Sequence, residues 1–243
     1  MLERISSGIP GLDSLLGGGL PKGRIFLVIG NPGAGKTIFG MQFLYNGAVE
    51  HGEPGLYVSL EESATHLKEE MLELGWDVEE LEDQGLITII DASPIRSIPG
   101  DIHLGEIKVG KREFSLLSLN QIIRVKARTT KALRIVIDPL STLILQFNES
   151  FERRRAILDL FQSLSELGAT CIVTSELEAN VSDRKSQLEE FLAQGVIALY
   201  SLSTGGKAAQ LIKVRGVAHD TNLRPYQISE KGISIFSDER VFL

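Results

Sequence analysis

The sequence predicts an α/β fold: a mostly parallel sheet flanked by helices on both faces, with antiparallel strands at the C-terminal end. Three observations carry this. Short apolar, β-branched runs alternate with helical patterns along most of the chain. A glycine-rich loop joins the first long apolar run to a helical pattern. From about Val196 the alternation gives way to closely spaced runs, as in an antiparallel meander.

Taken in order, Arg24 to Ile29, Gly55 to Leu60, Leu86 to Asp91, Leu133 to Asp138 and Thr170 to Thr174 read as buried strands. Helical patterns fill several gaps. One follows Lys36; in another, Ile157, Phe161, Leu164 and Leu167 share a face before Gly168 stops the turn. Near the end, Ser203-Thr204-Gly205-Gly206 is the expected hairpin turn between Val196 to Leu202 and Ala208 to Val214. With no repeat, low-complexity tract or linker, residues 1–243 are expected to form one domain.

At 43% hydrophobic and 23% charged the chain can bury a sizeable core, which excludes a disordered or collagen-like class. A net charge of -7 excludes a globally basic nucleic-acid binder, so any such contact must be regional. Residues 61–83 hold ten acidic side chains against one basic, and residues 101–134 hold eight basic against three acidic. These segments are solvated helix faces, complementary surfaces between subunits, or a basic lip for nucleic acid. The single cysteine, Cys171, excludes a disulfide framework and a cysteine-rich metal site. His51, His66 and His103 lack metal-ligand spacing and are expected on the surface. Trp76, beside a helix end, reads as a packing anchor. The first twenty residues lack the apolar run of a signal peptide and no stretch is long enough to span a membrane, so a cytoplasmic protein is expected.

Gly30-Asn31-Pro32-Gly33-Ala34-Gly35-Lys36-Thr37 fits G-x-x-x-x-G-K-[ST], directly after an apolar strand and directly before a helical pattern. The glycines let successive N–H groups turn toward phosphates, and the helix that follows adds its positive end. Asn31 through Ile38 are thus the expected phosphate-binding segment. Lys36 supplies a mobile cation for the β and γ phosphates, and the Thr37 hydroxyl a hard oxygen for Mg²⁺. The second metal-side acid is Asp138, where an apolar strand ends in a carboxylate. Glu61 and Glu62 follow the strand Gly55 to Leu60; at the carboxyl edge of a parallel sheet an acid can orient water, and Glu61 is the residue chosen. In the competing reading both belong to the acidic first turn of the next helix, with Ser63 as cap.

Several further segments join these motifs. Gly8-Ile9-Pro10-Gly11-Leu12-Asp13, the loop Gly30 to Thr37, Glu61-Glu62, Gly75-Trp76-Asp77, Ile90-Asp91-Ala92-Ser93-Pro94, Asp138, Thr174-Ser175-Glu176, Lys213-Val214-Arg215-Gly216 and Gly232-Ile233-Ser234-Ile235-Phe236 together resemble a KaiC-type domain of the RecA superfamily. The resemblance runs from about residue 5 to the last ten residues. It implies a RecA-like core, ATP and Mg²⁺ as ligands, and a homo-oligomer, hexamer or filament, with nucleotide between subunits. Glu61 and Glu62 match the family's catalytic pair, and Glu73 falls where the family has a residue near the adenosine. Lys213, Arg215 and His219 match the K-x-R-G-x-x-H segment that reaches a neighbouring subunit's ATP. The chain carries one such domain and is similar to the single-domain paralogues grouped with RadA. Leu177 to Gln194 offers only the separated Ser182 and Ser186 where the family has adjacent autokinase hydroxyls, so autophosphorylation is not carried over. The sharp bend of RecA-like sheets after the metal-side acid makes Asp138-Pro139 a candidate cis peptide.

On a strand, Lys213 and Arg215 would share one face and Ile212 and Val214 the other. An ATP-hydrolysing oligomer is the leading expectation. The alternatives are a nucleotide-dependent scaffold or switch that turns over little and recruits a partner protein, and a recombination or repair accessory. The last would grip single-stranded DNA along Lys108 to Arg134, where Lys108, Lys111 and Arg112 bracket a turn at Gly110 and Arg124, Lys126 and Arg128 follow on a helix.

Overall fold

A computed structural model describes residues 2–93, 102–104, 107–109, 113–177, 186–202 and 205–241. Pro94, Gly110, Lys111, Arg112, Ser182, Ser203 and Thr204 lie outside the described residues, as do the side chains of His103 and Lys108. In chain order the elements are β1 (Arg4–Ile5), α1 (Leu12–Leu15), β2 (Leu20–Pro21), β3 (Ile25–Gly30), α2 (Lys36–His51), β4 (Gly55–Ser59), α3 (Ala64–Glu73), α4 (Val78–Asp83) and β5 (Ile87–Asp91). Next come β6 (Ile102–Leu104), β7 (Ile107–Val109), α5 (Glu113–Thr129), β8 (Arg134–Asp138), α6 (Leu140–Ile144), α7 (Ser150–Ser165) and β9 (Thr170–Glu176). The chain closes with α8 (Leu188–Leu192), β10 (Gly195–Ser201), β11 (Lys207–Val214), β12 (Arg224–Ser229) and β13 (Gly232–Ile235).

The main sheet has nine strands in the order β13-β12-β11-β10-β3-β9-β8-β4-β5. From β10 to β5 every neighbouring pair is parallel, and β11, β12 and β13 add on antiparallel. The expected α/β class, with its parallel body and antiparallel C-terminal strands, is the observed one. One detail differs from the sequence reading: β10 is not purely a hairpin strand but closes the parallel body against β3. Side chains alternate between two apolar clusters, as strand geometry requires when both faces are covered. Phe26, Val28, Tyr57, Val136 and Ile172 face α2, α3 and α4, whereas Leu27, Ile29, Val58, Ile137 and Val173 face α5 to α8. Trp76 is a packing anchor: it is buried and stacks on Tyr45, ring centroids 5.5 Å apart. Asp138-Pro139 is cis.

Two expectations are corrected. Ile212 and Val214 do not share a face. A register shift between Val196 and Ile197 leaves Ile212 as the extra residue of a bulge, so Ile212 packs on the α5–α8 side and Val214 on the α2 side. Arg134, counted among the basic residues of 101–134, is no part of a charged surface. It is fully buried, lies 4.6 Å over the Phe43 ring, donates to the Phe43 carbonyl and pairs with Glu53 at 2.6 Å.

Candidate functional site

Because β3, β4, β8 and β9 run parallel, their carboxyl ends share one edge of the sheet. The loop after β3 turns there, with Gly33 and Gly35 at φ +72° and +88°, conformations an L side chain rarely adopts. Gly35 is also the N-cap of α2 and supplies no side chain, so the first N–H groups of the helix point along the loop unclaimed by a cap. Lys36 Nζ donates to the carbonyls of Gly30 at 2.9 Å and Asn31 at 3.3 Å. Burial lowers the Lys36 pKa, while Glu176, Asp138 and Glu61 pull the other way. Ala34 is buried, Pro32 and Gly33 are exposed at the loop tip, and Ile38 packs against the core.

A small cavity of about 110 Å³ joins Lys36, Thr37, Glu61, Glu62, Asp138, Pro139 and Glu176. Thr37 Oγ1 donates to Asp138 Oδ2 at 2.8 Å. With its proton so placed, the hydroxyl keeps lone pairs for a hard cation, and the set fits Mg²⁺. No group of three His, Cys, Asp or Glu side chains among the described residues could hold a metal, so such an ion needs phosphate oxygens and water as its other ligands.

The two glutamates lie before α3, not within its first turn. Ser63 is the cap, its Oγ accepting from His66 N, and Ser59 Oγ donates to the Glu62 carbonyl. Glu61 adds to the field at Lys36. Glu62 has a buried Oε2 without a hydrogen bond, and burial pushes its pKa up, helped by the charges of Glu70, Asp138 and Glu61. Both line the cavity, and they differ in surroundings: Glu61 adds to the field at Lys36, whereas Glu62 feels Glu70 and Asp138 and is the more desolvated.

Four contacts were not read from the sequence. Tyr57 and Thr174 hydroxyls both donate to Asp138, and Tyr226 OH donates to the Ala34 carbonyl at 2.7 Å. Lys207 Nζ donates to the Gly33 carbonyl at 2.7 Å, so the antiparallel strands brace the glycine-rich loop. Burial keeps Tyr57 far above the usual phenol range and hence a donor. Strand order, which periodicity does not reveal, makes these contacts.

Other expected residues lie elsewhere. Glu73 is exposed at the end of α3 and does not line the cavity. Lys213 is level with Leu27, since both pair with Val196, and so sits about 10 Å below the loop along the strands. Its Nζ donates to the Glu190 carbonyl, and Arg215 donates to the Phe191 carbonyl at 2.6 Å, both at α8 on the sheet face away from α2. His219 Nδ1 lies 2.9 Å from the Val217 carbonyl, which can only accept, so Nδ1 carries the proton; Nε2 is buried without a partner. On α5, Arg124 pairs with Glu166, while Lys126 and Arg128 are exposed. His51 and His66 are exposed, as expected.

The profile of the family described as "ATPase: KaiC" matches residues 5–240. The chain belongs to the KaiC family. It is 34% identical over 244 residues to a UPF0273 protein of Aeropyrum pernix, covering 99% of this chain and 96% of that protein. It is also 34% identical over 239 residues to the circadian clock oscillator protein KaiC of Synechococcus elongatus, covering 97% of this chain but 44% of that protein. The crystal structure of a KaiC-like protein from Pyrococcus horikoshii OT3 superposes with a TM-score of 0.82 at 34% identity, covering 97% of this chain and all of that one. The KaiC-type, RecA-like core is thus shared by sequence and by fold, and KaiC-family membership implies nucleotide binding. No helix among the described residues is long and apolar enough to cross a membrane.

Proposed function

We propose that residues 1–243 form one ATP-hydrolysing, Mg²⁺-dependent domain that works as a homo-oligomer, ring or filament, with nucleotide at subunit interfaces. The observation that carries this reading is the link from Thr37 to Asp138 across β9, with Lys36 and Glu61 in the same cavity. The loop N–H groups of Asn31 to Ile38 bind the phosphates, and Lys36 leaves its two carbonyls to meet the β and γ oxygens. Thr37, held in place by Asp138, would hold Mg²⁺, and the ion would supply charge neutralisation for the phosphates. Glu61 orients the attacking water and accepts its proton: it follows β4 at the carboxyl edge of the sheet and lines the cavity with Lys36.

Lys213, Arg215 and His219 serve the nucleotide of a neighbour. The distance of Lys213 and Arg215 from the chain's own loop, at α8 on the other sheet face, supports action in trans. Glu73, exposed at the end of α3 in the middle of the acidic α3–α4 surface, is assigned to the adenosine side. For Lys36→Ala, removal of the loop's own lysine should weaken ATP binding on the order of 10²-fold. Equilibrium binding of a fluorescent ATP analogue checks it; unchanged affinity would refute the site.

A further inference from the structure

Asp138 is tied down by more than the loop threonine. Its Oδ2 accepts a second hydrogen bond, from the Tyr57 hydroxyl at 2.6 Å, and its Oδ1 accepts one from the Thr174 hydroxyl. Both donors are fully buried. They come from the strands on either side of β8: β4, where Tyr57 is level with Val136, and β9. The phenol lies under α2 beside Gly40, where Val136 rather than the phenol requires that no Cβ be present. A Cβ at Gly40 would come 2.8 Å from Val136 Cγ1 and 3.7 Å from Tyr57 Cε2. A phenylalanine would fill this core without burying a hydroxyl, so the hydroxyl's partner explains its presence.

A carboxylate held by Thr37 alone could turn about its Cβ–Cγ bond. Three hydroxyls, one from α2 and one from each flanking strand, leave it a single plane. That plane decides where the Thr37 proton points, and therefore which Thr37 lone pair remains for a cation. We infer that Tyr57 and Thr174 are positioning residues that act through Asp138 to set the metal affinity of Thr37. This rests on the nucleotide reading above and adds residues to it. A purely structural role for the two hydroxyls would change the melting temperature and leave metal binding as it was.

The test uses the full chain as wild type, Tyr57→Phe and Thr174→Val, each of which keeps side-chain shape and removes one hydroxyl. Mn²⁺ is titrated in the presence of ADP and read by electron paramagnetic resonance, and ADP affinity is measured in EDTA. Both variants should bind Mn²⁺ about 10- to 100-fold more weakly, as loss of an outer-shell partner of a metal site implies. Metal-free ADP affinity should stay within about twofold of wild type, because the loop N–H groups are untouched. Mn²⁺ affinity within twofold of wild type in Tyr57→Phe overturns the inference whatever its melting temperature. If Tyr57→Phe does not fold, the same result in Thr174→Val overturns it. A wild-type chain that binds no Mn²⁺ with ADP sinks the nucleotide reading itself, which separates the two failures.

Discussion

Glu62 shows what the site costs a single residue. Its carboxyl is partly desolvated, faces Glu61, Glu70 and Asp138, and has a buried oxygen without a donor. The folded-state pKa is therefore raised, so the folded chain holds this proton more tightly than the unfolded one. The resulting stability is complete below the ordinary carboxylate range and is lost as pH rises through the raised value. Glu62→Gln should then raise the melting temperature by about 1–2 °C at pH 7.5, with no difference at pH 3.5. Thermal melts at the two pH values decide it; equal shifts at both would mean that packing, not ionisation, is responsible.

At the same scale, Lys36, Thr37 and Asp138 were legible in the sequence because each belongs to a spacing that local structure enforces: a glycine-rich turn, or a strand end. Tyr57, Thr174, Tyr226 and Lys207 were not. Each meets its partner through the order of strands, and a tyrosine in an apolar run reads as core until β8 is known to lie beside β4.

Among the elements, β8 and α2 depend on each other at the end remote from the chemistry. Arg134 opens β8, and its guanidinium lies against the last turns of α2 where Gly47 gives it space. A Cβ at Gly47 would stand 2.2 Å from Arg134 Nε. Alanine is a better helix former than glycine by about 1 kcal/mol. Displacing a buried, paired guanidinium costs about 3–5 kcal/mol, so the clash wins. Gly47→Ala should destabilise by about 2–4 kcal/mol, read as a lower denaturation midpoint in urea. An unchanged midpoint would show that Arg134 can move aside.

The long strands and the helices α2 and α7 were visible as apolar patterns, and of α5 only the stretch around Arg124 to Arg128 was read as helical. The antiparallel β6–β7 pair, the five-residue α8 and the bulge at Ile212 were not, since each is too short to establish a period and the bulge breaks one. Arg134 defeats charge counting for a related reason. Sequence gives a charge no depth, and burial appears only once α2 covers the strand.

For the whole molecule, the separation of its two cation groups is the informative feature. Lys36 and Lys207 lie at the carboxyl edge with the phosphate loop, while Lys213 and Arg215 lie toward the other edge, engaged with α8. The acidic α3–α4 segment is largely exposed, and its one basic residue, Lys68, already pairs with Glu79 and Glu82. That leaves a negative surface suited to a basic one on a second copy.

Phosphate release from Mg·ATP tests the account most directly, measured on wild type, on Glu61→Gln and Arg215→Ala separately, and on their mixture. Wild type should release phosphate. Each variant alone should fall by about 10²-fold or more while still binding ATP, and the mixture should recover activity where an intact Glu61 meets an intact Arg215. A wild-type chain that binds Mg·ATP and releases nothing, or a Glu61→Gln chain at the wild-type rate, would contradict the account.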